Sequence, residues 1–290
     1  MYRRIFAGIL AAILILSASA CVLEFDNAKS MASGVTKEYK ETVEMNSTYQ
    51  EGKPIKLILD MKLAKAVIDS TDDKLAEVKF EYSSGALKPE FSVDDEGISI
   101  KNSFDKSGFR KPINNWEVNI TDKLPLDVEI NSDASDLRMN MGKMTVNKLN
   151  AQLNATSARF YFDEPNRGSV EKVRMDANAS DIRIYNAGNI GFEILNLDSN
   201  ASKVLIDMKD ICRKDSEIRI DAKASTVNLK LPEDAGVHIV IDGYHLSSVK
   251  IDNESIFSRS EKEFISKDYD KADKTLKIYA DLNMTTINIE

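Results

Sequence analysis

Met175-Asp-Ala-Asn-Ala-Ser-Asp-Ile-Arg-Ile184 is the stretch whose reading decides the fold. Its serine, Ser180, is followed two and four residues later by Ile182 and Ile184. Counting back in steps of two from Ala179 gives Ala177, Met175 and Val173. Apolar or small residues at every second position read as half-buried β-strands, one on each side of a small-residue corner.

The same grammar recurs along the chain. With the central Ser or Thr as origin, Ser135, Thr156, Ser180, Ser202 and Ser225 are spaced by 21, 24, 22 and 23 residues. Before the origins lie pairs such as Val128 and Ile130, Leu195 and Leu197, and Ile218 and Ile220. After them lie Leu137 and Met139, Phe160 and Phe162, Val204 and Ile206, and Val227 and Leu229. A further copy near Ser247 keeps Val249 and Ile251 but is out of step before Gly243, the mark of a bulge. The last copy, Leu276 to Ile289, is in phase with Thr285.

A period of about 22 residues with two short strands per unit predicts an all-β, β-solenoid-like stack. Two forms fit, a single-stranded right-handed β-helix or a toast-rack-like stack. One unit cannot bury its own apolar face, so the copies must pack on one another. The corners are Ala134–Ser135, Ala155–Thr156, Ala179–Ser180, Ala201–Ser202, Ala224–Ser225 and Thr285. Their alanines are expected to turn inward, where a leucine would not fit, while the preceding Asn or Asp supplies turn chemistry outside.

Shorter strands and hairpins precede the repeats. Tyr39, Val43 and Met45 share one face; Leu57 to Ile68 forms a strand pair; Val78, Phe80 and Tyr82 alternate. Phe91 and Val93 return as Ile98 and Ile100 around Asp94-Asp95-Glu96-Gly97, a hairpin. Asn102 to Asn115 reads as a loop, and Trp116, Val118 and Ile120 resume the alternation. Asp252 to Lys274 is a charged insertion, expected as an exposed excursion packing Phe257, Phe264 and Tyr269 against one end or side of the stack.

The N-terminus reads as an export signal over residues 1–20: Arg3 and Arg4, then apolar Ile5 to Leu16, then small Ser17 to Ala20. Ala18-Ser19-Ala20-Cys21 resembles the lipobox of bacterial lipoproteins, which implies a diacylglyceryl group on Cys21 and cleavage just before it. Residues 21–35 then form the lipidated cysteine and a flexible tether. Two alternatives stand beside it: an uncleaved helix, since Ile5 to Leu23 is an uncharged run of 19, and simple secretion. Residues 36–290 form the β-repeat domain, with repeats clearest at 126–251 and 276–290.

The formal net charge of −8 becomes −10 once Arg3 and Arg4 are removed. An acidic body has no electrostatic attraction for nucleic acid. With Cys21 lipidated, only Cys212 remains, so neither a disulfide framework nor a cysteine metal site is available. Cys212 reads as a packed residue near a turn.

No stretch reads as a reaction site. Gly-x-Ser-x-Gly, HExxH and P-loop patterns are absent from the sequence. Asp133, Asn154, Asn178 and Asn200, with Asp176, Asp198 and Asp221 nearby, suit calcium by chemistry, yet stacked polar side chains explain them equally and the Gly-rich calcium nonapeptide is missing. His238 and His245 lack a nearby cysteine and read as ordinary strand and turn residues rather than zinc ligands. Asp94-Asp95-Glu96 reads as a solvated hairpin tip. The Asn-x-Ser/Thr sequons at Asn119, Asn154, Asn178, Asn200 and Asn253 are by-products of corner chemistry. Tyr161 and Tyr185 fall on an outward face, where an aromatic pair stacks on sugars in carbohydrate-binding proteins. Catalytic, cofactor and metal residues are accordingly expected to be none.

The repeats from Val128, the Leu57–Ile68 pair and the tail Tyr269-Asp-Lys-Ala-Asp-Lys-Thr-Leu-Lys-Ile278 together resemble a known group. It is the bacterial β-strand-repeat, adhesin-type domain of unknown function, related to the toast-rack domain. The likeness spans roughly residues 36–290, with Ala-Ser corners where that group often has glycine. It implies a surface-exposed β-repeat module without catalytic residues, in a group found attached to membrane proteins connected with envelope stress.

The expected function is therefore a non-enzymatic cell-surface lipoprotein on the bacterial membrane, binding a protein or envelope polymer or serving an envelope response. The alternatives are a polysaccharide-acting β-helix enzyme and a structural spacer forming a homo-oligomer through the C-terminal strand edge at Asn283 to Glu290.

Overall fold

The computed structural model describes residues 36–45, 49, 52–103, 113–209 and 212–290. The export signal, Cys21 and the tether lie outside the described residues, as does most of the Asn102–Asn115 loop. No helix among the described residues is long and apolar enough to cross a membrane.

Apart from short 3₁₀ turns, the described residues form strands and the loops between them. The N-terminal part contributes β1 (Lys37–Glu44), β2 (Ile55–Lys62), β3 (Lys65–Thr71), β4 (Lys74–Tyr82), β5 (Glu90–Asp94), β6 (Gly97–Lys101) and β7 (Asn114–Thr121). The central repeats supply β8 (Pro125–Asp133) with β9 (Asp136–Asn140), β10 (Thr145–Asn154) with β11 (Ser157–Tyr161), and β12 (Val170–Asn178) with β13 (Asp181–Tyr185). They continue with β14 (Phe192–Asn200) and β15 (Lys203–Asp207), then β16 (Ser216–Lys223) and β17 (Thr226–Lys230). The C-terminal part adds β18 (Gly236–His245), β19 (Ser248–Ile251), β20 (Phe257–Arg259), β21 (Glu263–Ser266), β22 (Thr275–Asn283) and β23 (Thr286–Ile289).

These strands build two sheets, of 11 and 12 strands. Each repeat sends its longer strand to the 12-stranded sheet and its shorter strand to the 11-stranded one. Neighbouring repeats pair in parallel with matched register, for example Met175 with Leu197 and Ile182 with Val204. The inward residues of both sheets form one core that includes Leu57, Ile130, Phe160, Met175, Leu197 and Ile220. This is the all-β toast-rack or β-solenoid-like stack of the sequence reading.

The order of stacking departs from the order of the chain at both ends. β2–β3 is inserted between β6–β7 and β8–β9, so the early strands belong to the stack rather than merely preceding it. At the far end β22–β23 slots between β16–β17 and β18–β19, pairing Ile278 with Ile218 on one side and Ile239 on the other. The C-terminal strand β23 is thus flanked by β17 and β19. That corrects the expected oligomerising edge: Asn283 to Glu290 contains no open sheet edge. The outer strands are β1 and β19 in one sheet and β5 and β20 in the other. β1 is dense in charge, whereas β19 and β20 have 4 and 3 residues. Short or charged edges resist pairing with further chains.

The charged insertion is more ordered than a loop. It folds into the β20–β21 hairpin, which extends the larger sheet beyond β18 and buries Phe257 and Phe264, while Tyr269 stays half-buried. The bulge expected before Ser247 falls between Asp242 and His245, where Gly243 takes φ +71°.

At each corner the alanine does the opposite of what alternation predicts. Ala134, Ala155, Ala179, Ala201 and Ala224 are exposed, with φ of 52°, 48°, 51°, 50° and 50°. A left-handed residue absorbs one position of the period, so the alanine faces solvent and the following Ser or Thr turns inward. Leu63 before Ala64, Leu246 before Ser247 and Met284 before Thr285 hold the same conformation. The expectation of inward corner alanines is therefore wrong; the residues beside the core are Ser135, Thr156, Ser180, Ser202, Ser225 and Thr285, all buried.

Candidate binding faces

Those buried hydroxyls form a spine that holds the two outer faces in register. Ser180 N–H donates to Ser202 Oγ at 3.0 Å, and Ser202 N–H to Ser225 Oγ at 3.1 Å. Thr156 N–H donates to Ser180 Oγ at 3.0 Å, Ser225 N–H to Thr285 Oγ1 at 3.3 Å, and Thr285 N–H to Ser247 Oγ at 3.1 Å. At the N-terminal end Ala64 N–H reaches Ser135 Oγ at 3.1 Å. Hydroxyls point back at the carbonyl two residues earlier, as Ser202 does to Asn200 at 2.9 Å and Ser225 to Lys223 at 2.8 Å. A buried N–H without an acceptor is costly, and a small hydroxyl is the side chain that fits an inward corner and supplies one.

Fixed register turns outward side chains into columns. On the 11-stranded sheet the middle column, three residues after each origin, reads Val67, Arg138, Arg159, Arg183, Leu205, Asn228, Asn288 and Lys250. From Val67 to Lys250 no acidic residue stands in it. Arg159 Nη1 lies 3.2 Å from Asp136 Oδ1, and Arg183 Nη2 3.1 Å from Asp181 Oδ2. The Asp181 hydrogen bond, helped by Tyr185, raises the Arg183 pKa, so its charge is permanent. Arg138 leans over the Tyr161 ring at 4.7 Å and reaches Asn140 at 3.4 Å. Tyr161 and Tyr185 stack on each other, centroids 4.9 Å apart and planes 12° from parallel.

That stacking decides what the tyrosines can do. They stand outward as expected, but the facing sides of both rings, and the Tyr161 face under Arg138, are already occupied. Stacking a sugar requires an open ring face, which leaves only the outer face of Tyr185, so Tyr161 serves as a brace for Arg138 rather than as half of a two-ring sugar platform.

The 12-stranded sheet carries a contrasting column, four residues before the origins and, because of the bulge after Asp242, five before Ser247. Asp176, Asp198, Asp221, Asp281 and Asp242 are consecutive Cα partners. Arg174 lies 3.4 Å from Asp176 and 3.7 Å from Asp198, and Lys223 lies 3.3 Å from Asp221. Partial burial first, then a hydrogen bond with Asp176 and the charge of that neighbour, push the Asp198 carboxyl above its ordinary range. Beside this column Asn178 Nδ2 donates to Asn154 Oδ1 at 3.1 Å, and Asn154 Nδ2 to Asp133 Oδ1 at 2.9 Å. Asn154 and Asn178 line a shallow cavity of about 450 Å³ with the aspartates. Hydrogen bonds between stacked amides account for their recurrence, and among the described residues no group of three or more His, Cys, Asp or Glu is arranged to hold a metal.

The remaining single residues are dispersed. Cys212 is buried, its thiol donating to Lys214 O at 3.1 Å and its backbone N–H to Asp234 Oδ1 at 2.8 Å; burial, then Asp234, pushes its pKa up. An inert packed thiol results. His238 lies in β18 with Nε2 3.8 Å from Glu263 Oε2, and His245 lies at the end of the same strand. At the hairpin tip Asp94 Oδ1 accepts from Glu96 N–H at 2.8 Å and Gly97 N–H at 3.1 Å, so Asp94 serves the turn. Apolar alternation alone reveals neither the arginine column nor the hydroxyl spine. Reading the repeat alignment down its outward positions, not only its apolar ones, brings out Arg138, Arg159 and Arg183 at once.

The fold and its columns define the class: a two-sheet parallel β-stack of repeated units. Residues 32–162 match the family model of the N-terminal domain of toast_rack, DUF2154. No curated protein matches the chain. Among solved structures, the chain is similar to a candidate cell adhesion protein from Clostridium sporogenes, 19% identical, with 88% of this chain and 99% of that one covered and a TM-score of 0.45. A candidate adhesin from Bacteroides fragilis is 12% identical, with 89% and 98% covered and a TM-score of 0.36. One from Parabacteroides merdae is 9% identical, with 89% and 97% covered and a TM-score of 0.40. None of the three carries its role across to this chain.

Proposed function

We propose that this protein is a non-enzymatic binding module, tethered outside the bacterial membrane by a lipid on Cys21, that presents flat sheet faces to a protein or polymer of the envelope. Residues 1–20 direct export and 21–35 lift the body from the lipid. The single observation carrying the reading is the braced column of Arg138, Arg159 and Arg183. Three guanidinium groups stand in register on a rigid sheet, oriented by Asp136, Asp181 and the Tyr161 ring. Guanidinium forks fixed in this way bind carboxylate or phosphate with little ordering cost.

The test expresses the full chain in a bacterium. Fractionation should find it with membranes, and Cys21→Ser should remove the diacylglyceryl mass and release it. A chain that stays soluble, or a Cys21→Ser variant that keeps the lipid mass, overturns the anchor. Retention on isolated cell envelopes should fall when Arg138, Arg159 and Arg183 are all changed to alanine; unchanged retention overturns the binding face.

A further inference from the structure

Each outer column is short of counter-charge. Of the five aspartates, Asp176, Asp198 and Asp221 meet Arg174 and Lys223, and Asp242 meets Lys262, five charges against three, leaving two net negative charges. Arg138, Arg159 and Arg183 meet Asp136 and Asp181, three against two, leaving one net positive charge. The two columns also share a spacing. Both consist of adjacent parallel strands in matched register, so each repeats at the inter-strand distance of about 4.8 Å. Two ladders of one fold are commensurate by construction. Every arginine that finds an aspartate across a contact brings its neighbours opposite aspartates too.

We propose that the arginine column of one copy docks on the aspartate column of a second copy, joining the 11-stranded sheet of one molecule to the 12-stranded sheet of the next. The contact uses different surfaces on its two sides, so it is heterologous and extends into open rows rather than closing as a dimer. The Asp198 carboxyl is raised by partial burial first and then by Asp176 and Asp221, and an opposing guanidinium relieves the like-charge part of that shift. Edge pairing offers little competition, since the outer strands are short or charged. Exposed ion pairs are individually weak, so the contact forms where copies are crowded, as on a membrane, and dissolves as salt screens it. The proposal does not depend on the lipid at Cys21, whose loss would leave the docking surfaces intact.

Sedimentation of the full chain in detergent tests it. The wild type should self-associate at low salt and become monomeric as salt rises. R138E/R159E/R183E makes both faces acidic, and D176K/D198K/D221K makes both basic. Each should weaken self-association by about tenfold or more, as expected for losing and reversing three exposed pairs. Mixing the two variants should restore association between them, which a fold defect in either cannot mimic. Circular dichroism melts check that both variants fold; should one fail, R159E and D198K replace the triple changes. A wild type that is monomeric at low salt overturns the proposal, as does a mixture that fails to associate. A monomer that instead binds soluble heparin through the same arginines assigns the column to a polyanion and equally overturns it.

Discussion

The two outer faces share one interior and differ in sign. Behind both lie the same inward columns and the same hydroxyl spine, yet one face displays Arg138, Arg159 and Arg183 and the other Asp176, Asp198 and Asp221. Inward positions are constrained by packing and by the need to satisfy buried N–H groups. Outward positions have no such constraint. A like-charge column placed directly opposite itself on neighbouring strands is destabilising, and cross-strand pairs such as Arg159 with Asp136 and Arg174 with Asp198 offset that only in part. The difference teaches where to look for function in a repeat fold: in outward columns that run against the fold's own electrostatics.

The largest effect should come from the shared interior. Leu197 is buried in β14 between Met175 and Ile220. Leu197→Ala should cost about 2–5 kcal/mol in chemical denaturation, with both faces lost in one transition. Separate transitions for the two sheets would break the comparison by showing that they do not share a core. Next comes the spine. Ser202→Ala leaves Ser180 N–H without its acceptor and should cost about 1–3 kcal/mol, while Ser202→Thr, the residue type at positions 156 and 285, should cost much less. A threonine variant as unstable as the alanine would mean that shape, not the hydroxyl, holds the corner.

A smaller effect separates the corner's outside from its inside. Ala201 sits at φ 50°, where an L-residue is strained by about 1–2 kcal/mol. Glycine relieves that strain but adds freedom to the unfolded chain, so Ala201→Gly should shift stability by no more than about 1 kcal/mol in the favourable direction. Ala201→Val should destabilise, since a β-branched residue fits this conformation worst. Thermal melts of the pair decide it, and a tolerated valine would contradict the geometry.

This corner also marks where sequence stops being informative. The period of two locates Ile182 and Ile184, Leu195 and Leu197, and the origin residues, because burial alternates with the pleat. It fails at Ala179 and its equivalents because the sign of φ is not written in hydrophobicity, and one left-handed residue shifts the count. Stacking order is hidden for another reason. Ile278 pairs equally well by pattern with any inward isoleucine, and only the whole fold sets it between Ile218 and Ile239. The hairpin of Phe257 and Phe264 is masked by the surrounding charge. Of the faces, the recurrence of Asp176, Asp198 and Asp221 is visible in the repeat alignment, but oxygen chemistry alone points it towards calcium. The arginines escape a reading built on burial, since outward positions leave no mark in apolar periodicity.

The smallest predicted effect probes the acidic face alone. The Asp198 carboxyl has its folded pKa raised above the ordinary 3.8 by burial and by Asp176. Its proton therefore binds the folded chain more tightly than the unfolded one. The resulting contribution to stability is fully present below the unfolded value and is lost as pH rises through the folded value. The variant Asp198→Asn has an amide that binds no such proton, so its stability relative to wild type should improve as pH rises across that window and then level off. Because the group is largely open to solvent, the difference should be only about a few tenths of a kcal/mol after screening. Urea titrations at a series of pH values measure it. The arginine face supplies the control: Arg183 keeps its charge throughout, so Arg183→Lys should show no matching pH step. If Asp198→Asn instead loses ground to wild type as pH rises, then Asp198 is better served as an anion than its neighbours allow, and the contrast between the two faces was drawn too sharply.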